Sequence, residues 1–300
     1  MDKLFVDILK SGCDVKTSEK LSCHTSIKIG GKVKYLALPN DVLSLEKVVR
    51  LLRNNIPFQI MGLGTNLLVQ DEDLEMVVLK TERLNQIEIK RGKVTVECGT
   101  PLKRLCLFLM EAELGGLEFA YGIPGSVGGA VYMNAGAYGG EIGEFVEAVE
   151  VLKDGKRYWL SKNEISFGYR DSSFKKEKVI ITRVMMRFRK DKKEEIRRKM
   201  MNFLKRRLEK QPLDLPSAGS VFKRPRPDFY VGSAIESLGL KGYKIGNAQI
   251  SEKHAGFIVN LGDATFNDVM RLIEVVKKKV KEKYGVDLET EVEIWWNGKR

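Results

Sequence analysis

The sequence predicts a mixed α/β or α+β chain in which a larger N-terminal domain of short strands is followed by a smaller C-terminal one. Three observations carry this. From about Val33 to Phe188, short apolar runs are broken by turn residues. After Pro212 and Pro216 the texture changes to loops, a short helix and strands. Near the C-terminus an apolar stripe at helical spacing ends at Gly285 and gives way to an alternating run. With 300 residues, 43% of them hydrophobic, the chain can bury a real core.

The strand-like runs are Val33 to Leu38, Phe58 to Met61, Met76 to Leu79, Lys93 to Cys98 and Val179 to Phe188. Two helices lie among them. The first follows Asn40-Asp41, repeats Leu45, Val48, Val49 and Leu52 at helical spacing and stops before Pro57; the second opens at Thr100-Pro101 and runs to Gly115-Gly116. A third helix, with Ile196, Met200, Phe203, Leu204 and Leu208 on one face, follows a domain boundary placed near Lys190 to Glu195. A fourth spans about Asn267 to Tyr284, carrying Val269, Leu272, Ile273, Val276 and Val280, and an alternating strand is expected from Val286 to Trp296.

The chain opens with Met1-Asp2-Lys3 without a leader-like apolar stretch, and no run approaches the roughly 20 apolar residues a membrane span needs, so a cytoplasmic location is expected. Cys13, Cys23, Cys98 and Cys106 form no C-x-x-C pair, and His24 and His254 add no zinc-ligand spacing. Reduced structural thiols and no metal are expected. The 52 Lys and Arg against 40 Asp and Glu, a formal +12, favour anionic partners. Nucleic acid, an acidic membrane and phosphate-bearing small molecules all fit that charge, although no recognisable nucleic-acid-binding motif accompanies it.

Two glycine-rich loops carry the ligand signal. Gly62-Leu63-Gly64-Thr65-Asn66-Leu67 lies between strand-like runs, where glycine permits a tight turn and successive N–H groups can face an anion. It is not the dinucleotide fingerprint, because no helical pattern follows. In Tyr121-Gly122-Ile123-Pro124-Gly125-Ser126-Val127-Gly128-Gly129-Ala130 and Asn134-Ala135-Gly136-Ala137-Tyr138-Gly139-Gly140, side chains stay small for nearly the whole stretch. A flat cofactor with a diphosphate explains small residues and backbone donors together; an ordinary turn at the first loop and a tightly packed loop crossing at the second are the alternatives. Two such loops far apart in sequence suit an extended dinucleotide such as FAD.

Three further segments combine turns with reactive groups. In Ser166-Phe167-Gly168-Tyr169-Arg170-Asp171-Ser172, Arg170 is either a clamp for a carboxylate or phosphate or half of a surface ion pair with Asp171. Ser220, in Ser217-Ala218-Gly219-Ser220-Val221-Phe222-Lys223, lacks a nucleophile elbow and a nearby His. Glu289, Glu291 and Glu293 share one face of a strand at a spacing of roughly 6.6 Å, where they are either solvated or, if buried, forced toward a raised pKa.

Taken together, these segments, with His24-Thr25-Ser26 and Gly30-Gly31, resemble the UDP-N-acetylenolpyruvoylglucosamine reductase family over nearly the whole chain. The resemblance implies a vanillyl-alcohol-oxidase/PCMH-type FAD-binding domain, α+β in class, followed by a smaller α+β substrate-binding domain. A lead-in at 1–20, a two-lobed FAD-binding domain at 21–190 and a substrate-binding domain at 191–300 follow from it. It also implies bound FAD, NADPH as hydride donor, a UDP-sugar substrate and a monomer without nucleic-acid or membrane partners. The compact stretch from Tyr169 to Phe222 is similar to the shorter branch, which lacks an inserted substrate-capping loop. By motif position Arg170, Ser220 and Glu291 match the family's catalytic arginine, serine and glutamate, Tyr169 and Lys223 its substrate contacts, and the glycine loops its FAD contacts. Thr290 stands where many relatives have proline, and Arg224 where others have asparagine. Arg206 and Arg207 are further candidate phosphate contacts. The rival readings are a small-alcohol or sugar oxidase of the same fold, which needs no such trio, and a basic nucleic-acid-binding protein.

Overall fold

The computed structural model describes residues 2–53, 56–177 and 179–297. The chain builds two compact units by alternating between them. Met1–Ser18, Tyr35–Leu63 and Glu75–Arg206 form the first; Glu19–Lys34, Gly64–Leu74 and Arg207–Arg300 form the second. This division does not follow the linear cuts at 20 and 190 expected from sequence. Its boundary falls instead inside the helix Lys193–Lys210, and two early segments join the C-terminal part.

The first unit has two larger sheets among the described residues, beside several two-stranded pairs. One has the order Cys13–Lys20, Lys32–Pro39, Leu74–Lys80, Phe58–Met61, the last two parallel. A parallel neighbour requires a crossover, and residues 62–73, with the strand Leu67–Val69, make it; the helix Val42–Leu52 links Lys32–Pro39 to Phe58–Met61. Asp41 caps that helix by accepting the Ser44 N–H at 2.7 Å, and Leu45, Val48, Val49 and Leu52 are all buried. Each fully buried side chain of this kind contributes roughly 1.5–3 kcal/mol. The other sheet is antiparallel, ordered Lys156–Ser161, Val146–Lys153, Ile180–Arg187, Lys93–Glu97, Ile87–Lys90.

Helix Leu102–Glu111 stops short of the expected Gly115-Gly116, because Leu114–Gly115 leaves to pair with Arg189–Lys190. In the helix Lys193–Lys210 the expected apolar face is used only in part. Ile196 and Met200 are buried, Phe203 and Leu204 half-buried, and Leu208 is exposed.

The second unit is an antiparallel sheet, Ser217–Ser220, Phe257–Asn260, Ala248–Ile250, Lys244–Ile245. The helix Phe266–Tyr284 buries Val269, Leu272, Ile273, Val276 and Val280 in the same core. Ile27, Ile29 and Leu68, from the two early segments, lie there too. Side chains fasten those segments: Asn260 Nδ2 donates to the Ile27 carbonyl at 2.9 Å and Ser26 Oγ to the Ser217 carbonyl at 2.6 Å.

The long C-terminal strand expected over Val286 to Trp296 shrinks to Glu293–Trp295, parallel to Leu67–Val69. Residues just before it bond elsewhere, since Lys223 N–H donates to the Glu289 carbonyl and Glu291 N–H to the Val221 carbonyl. A strand that changes partner midway cannot keep one ladder.

Close backbone approach makes Gly99 a sharp test of the first unit. A Cβ there would collide with the Thr81 carbonyl oxygen, which is backbone and cannot rotate away. Gly99→Ala is expected to destabilise by about 3 kcal/mol or more, the upper end for overpacking, in urea denaturation followed by circular dichroism. A loss below about 1 kcal/mol would refute the packing argument.

Candidate active site

Each unit carries its own part of the site. In the first, the strand Phe58–Met61 delivers Gly62, and the segment 125–128 runs antiparallel along Thr100–Leu102. Leu102 N–H donates to the Gly125 carbonyl at 2.9 Å, Val127 N–H to the Thr100 carbonyl at 2.8 Å and Gly128 N–H to the Cys98 carbonyl at 2.7 Å. The two glycine loops touch: a Cβ on Gly62 would strike Ser126 Oγ. That oxygen is already engaged, accepting the Gly129 N–H at 3.3 Å as the cap of helix Val127–Tyr132. A Cβ on Gly128 would lie 2.7 Å from Cys98 Cβ. Burial pushes the Cys98 thiol up to about 12, so that wall is neutral and unreactive.

Among the described residues of the first unit, the backbone N–H groups of Gly62, Leu63, Gly122, Gly125 and Ser126 donate to no protein acceptor. These donors lie on the two loops whose side chains are smallest. The donor set suits an anion.

The same stretch leads to Arg170. Asn134, 1% exposed and at φ 47°, accepts the Gly143 N–H at 3.0 Å and donates to Glu141 Oε2 at 2.7 Å and the Gly168 carbonyl at 2.9 Å. Its amide is therefore spent on holding the hairpin Phe167–Gly168/Asp171–Ser172. Arg170 sits at the tip of that hairpin at φ 53°, a strained conformation for a non-glycine residue. Its Nη2 donates to the Gly136 carbonyl at 2.7 Å, and its guanidinium lies 5.2 Å from the centre of the half-exposed Tyr169 ring. The residue caps a tight turn and reaches back to the second glycine loop.

Gly136–Ala137 and Gly140–Glu141 form a further hairpin whose tip residues, Tyr138 and Gly139, both have positive φ. Sequence reading gave Tyr138 no role. Its ring stacks on Phe203 at 4.9 Å, and the Arg206 guanidinium lies 4.6 Å over it. The exposed Tyr-Gly tip of a two-residue turn was the available signal.

In the second unit Ser220 and Glu291 lie on neighbouring segments. Glu291 N–H donates to the Val221 carbonyl at 2.7 Å, and Phe222 faces Thr290 in a β-bridge. Asn66 clamps the same strand from its other side: its Nδ2 donates to the Glu291 carbonyl and its carbonyl accepts the Glu293 N–H, both at 3.0 Å. Of the three expected carboxylates, Glu289 is solvent-facing and pairs with Lys223 Nζ at 3.0 Å, whereas Glu291 and Glu293 are half-buried. Tyr121, Pro124, Ala130 and Ala137 fall on or beside the second loop, Thr65 and Leu67 on the first.

Residues 33–161 match the model of an FAD binding domain, and residues 211–295 match that of the UDP-N-acetylenolpyruvoylglucosamine reductase C-terminal domain. The chain is 79% identical to the UDP-N-acetylenolpyruvoylglucosamine reductase of Thermotoga sp. (strain RQ2) over 300 residues, all of both chains. The chain belongs to this reductase family. The reductase of Fervidobacterium nodosum is 54% identical, covering 98% of this chain and 96% of that one. The crystal structure of the Thermus caldophilus reductase superposes with a TM-score of 0.81 at 36% identity, covering 95% and 99%. The family's fold is an FAD-binding domain followed by the reductase C-terminal domain, and the length of 300 residues suits its shorter branch.

The residues present fit FAD. Backbone donors on touching glycine loops would hold its diphosphate. Gly62→Ala must displace Ser126 Oγ, so FAD affinity is expected to fall about tenfold or more, 1.4 kcal/mol per decade, in equilibrium dialysis against free FAD. Adding Ser126→Ala should recover much of that loss. Unchanged affinity in Gly62→Ala would show that this loop contact does not shape the cofactor site.

Proposed function

We propose that Arg170, Ser220 and Glu291 carry the chemistry of the family's reaction in this chain. That reaction is the FAD-dependent reduction by NADPH of UDP-N-acetyl-3-O-(1-carboxyvinyl)-glucosamine to UDP-N-acetylmuramate, a step of peptidoglycan precursor synthesis, and the chain is an oxidoreductase of this kind. The observation that best supports the residue roles is the bond from Glu291 N–H to the Val221 carbonyl, which sets the Ser220 and Glu291 positions beside each other on a fixed backbone.

When bound, FAD carries the hydride from NADPH to the methylene carbon of the enolpyruvyl ether. Reduction at that carbon leaves enediolate charge on the substrate's carboxyl, and Arg170 supplies a cation that cannot deprotonate. Its bond to the Gly136 carbonyl fixes the guanidinium before substrate arrives. Glu291 stabilises the same charge by donating a hydrogen bond, which requires its carboxyl to be protonated at that moment. Ser220 then gives its proton to the alpha carbon; a hydroxyl is a weak acid, but an enediolate is basic enough to take the proton from a donor held on the correct face. Glu289 is a poorer candidate than Glu291, because its carboxylate is solvated and already paired with Lys223.

Residues 21–190 are assigned to FAD recognition and 191–300 to the UDP-sugar. Tyr169 and Lys223 are placed against the substrate, with Arg206 and Arg207 as further phosphate contacts, and the surplus positive charge favours both anionic substrates. No helix among the described residues is long and apolar enough to cross a membrane. A cytoplasmic monomer without nucleic-acid partners completes the reading.

Ser220→Ala is expected to leave bleaching of the flavin absorbance by NADPH within about twofold, while turnover with the sugar falls about a hundredfold or more, the range for losing a general acid. Anaerobic stopped-flow absorbance separates the two steps, and an equal loss in both would remove Ser220 from the proton-transfer role. A purified protein that stays colourless and cannot be reconstituted with FAD would overturn the whole reading.

A further inference from the structure

The mechanism leaves unused a partly buried imidazole in the second unit. His254 lies in the turn between the strands Ala248–Ile250 and Phe257–Asn260. Both Lys253 N–H and His254 N–H donate to Ser251 Oγ, at 3.1 and 3.2 Å, and Phe257 N–H donates to the His254 carbonyl at 3.0 Å. The ring is seated in a slot that only glycines leave open: a Cβ on Gly232 would lie 3.3 Å from it and a Cβ on Gly256 3.0 Å. Phe257 packs edge-on against it, with centroids 5.0 Å apart.

Inside that slot His254 Nδ1 accepts the Gly256 N–H at 3.1 Å. An imidazole nitrogen that accepts carries no proton, so the ring is neutral with its hydrogen on Nε2. The Gly256 peptide held in this way uses its carbonyl to accept the Val221 N–H at 2.9 Å, and the Val221 carbonyl in turn accepts the Glu291 N–H at 2.7 Å. Ser220, the residue before Val221, is registered opposite Phe257. The Ser217–Ser220 strand needs such help, because its pairing is irregular between Ser217 and Ser220 and Gly219 has a positive φ. Regular pairing alone therefore does not fix where Ser220 stands.

We propose that His254 is a positioning residue for the reduction, holding Ser220 and Glu291 in register through the Gly256 and Val221 peptides. The inference rests on the reading of Ser220 as proton donor. It assigns His254 no contact with substrate or cofactor. Its requirement is a neutral ring, and the net effect of the environment favours one: desolvation lowers its pKa below the ordinary value, its own backbone opposes this by hydrogen bonding, Lys241 lowers it further, Glu236 opposes and Lys210 assists more weakly. Protonation of Nδ1 would turn the acceptor into a donor facing the Gly256 N–H. The register would then be lost as pH falls through this depressed pKa and kept above the ordinary histidine range.

The test compares His254→Leu, which has no acceptor, with His254→Asn, whose side-chain oxygen can accept near the place of Nδ1, in the FAD-loaded enzyme. In His254→Leu, sugar-dependent reoxidation of the NADPH-bleached flavin should slow about a hundredfold at saturating sugar, the scale of loss for a misplacement near 1 Å. Bleaching by NADPH should stay within about twofold. His254→Asn should recover most of the rate and lose the acid limb of the pH profile. Amide hydrogen exchange at Gly256 and Val221 should quicken in His254→Leu and not in His254→Asn. A loss confined to KM, equal damage in both variants, or an unaffected rate in His254→Leu would each overturn the proposal. Ser220→Ala separates the two readings: if it leaves reoxidation unaffected, the proton-donor role fails, whereas a crippled Ser220→Ala beside a fully active His254→Leu defeats the positioning role alone.

Discussion

A hydrogen atom in place of a side chain at Gly62 is the constraint on which the contact of the two glycine loops, the proposed cofactor cradle, depends. It lets the end of one strand rest against Ser126, and Ser126 is held because its hydroxyl caps the short helix that follows. The same economy recurs one turn on, where Gly128 backs onto the buried Cys98. Small residues thus set the approach of two backbones. Positive charge on the protein at large favours anionic ligands from a distance; in the proposed reading the loops' N–H groups receive the diphosphate.

From that cradle the chain builds outward by hydrogen bonds rather than by packing. Asn134, at the end of the second loop, joins Gly143, Glu141 and Gly168 through one amide, and Gly168 belongs to the hairpin that presents Arg170. In the second unit the corresponding frame is a run of main-chain bonds from Gly256 through Val221 to Glu291, with Asn66 beyond. Asn66 closes the first glycine loop's own sequence motif, so a residue placed among cofactor contacts by motif also secures the strand that carries a carboxylate.

Sequence made much of this legible where one physical signal dominates. The helix Val42–Leu52 has its four apolar positions, a capping aspartate and nothing competing, and it forms as expected. The strand Phe58–Met61 ends where Gly62 begins. The hairpin Val146–Lys153/Lys156–Ser161 was missed although Asp154-Gly155, both at positive φ, supplies the strongest turn signal a hairpin can carry. Its outer strand is exposed along most of its length and so lacks an apolar alternation. The C-terminal alternation was read as one strand because Leu288 and Val292 are buried while Glu289 faces solvent; alternation reports which face is buried, not how many partners share the edge. The discontinuous second unit was illegible for a related reason. Ile27, Ile29 and Leu68 are ordinary apolar residues, and nothing local states that they pack against Ile258 and Leu272.

Three non-glycine residues of the loop system around Arg170 adopt positive φ: Asn134, Tyr138 and Arg170 itself. Each such conformation costs of order 1 kcal/mol or more, and none would persist in an isolated hairpin. Each residue also makes contacts that set against that cost. Asn134 has its three side-chain bonds; Tyr138 lies between Phe203 and Arg206; Arg170 bonds Gly136 while its carbonyl accepts from Lys175 Nζ at 2.9 Å. A side chain held by such opposing terms has few alternative rotamers to visit. That is the property the proposed role of Arg170 requires, because a group that has to reorganise during a reaction stabilises the transition state less than one already in place. Backbone strain in these hairpins and electrostatic preorganisation at Arg170 are on this view two descriptions of the same set of bonds.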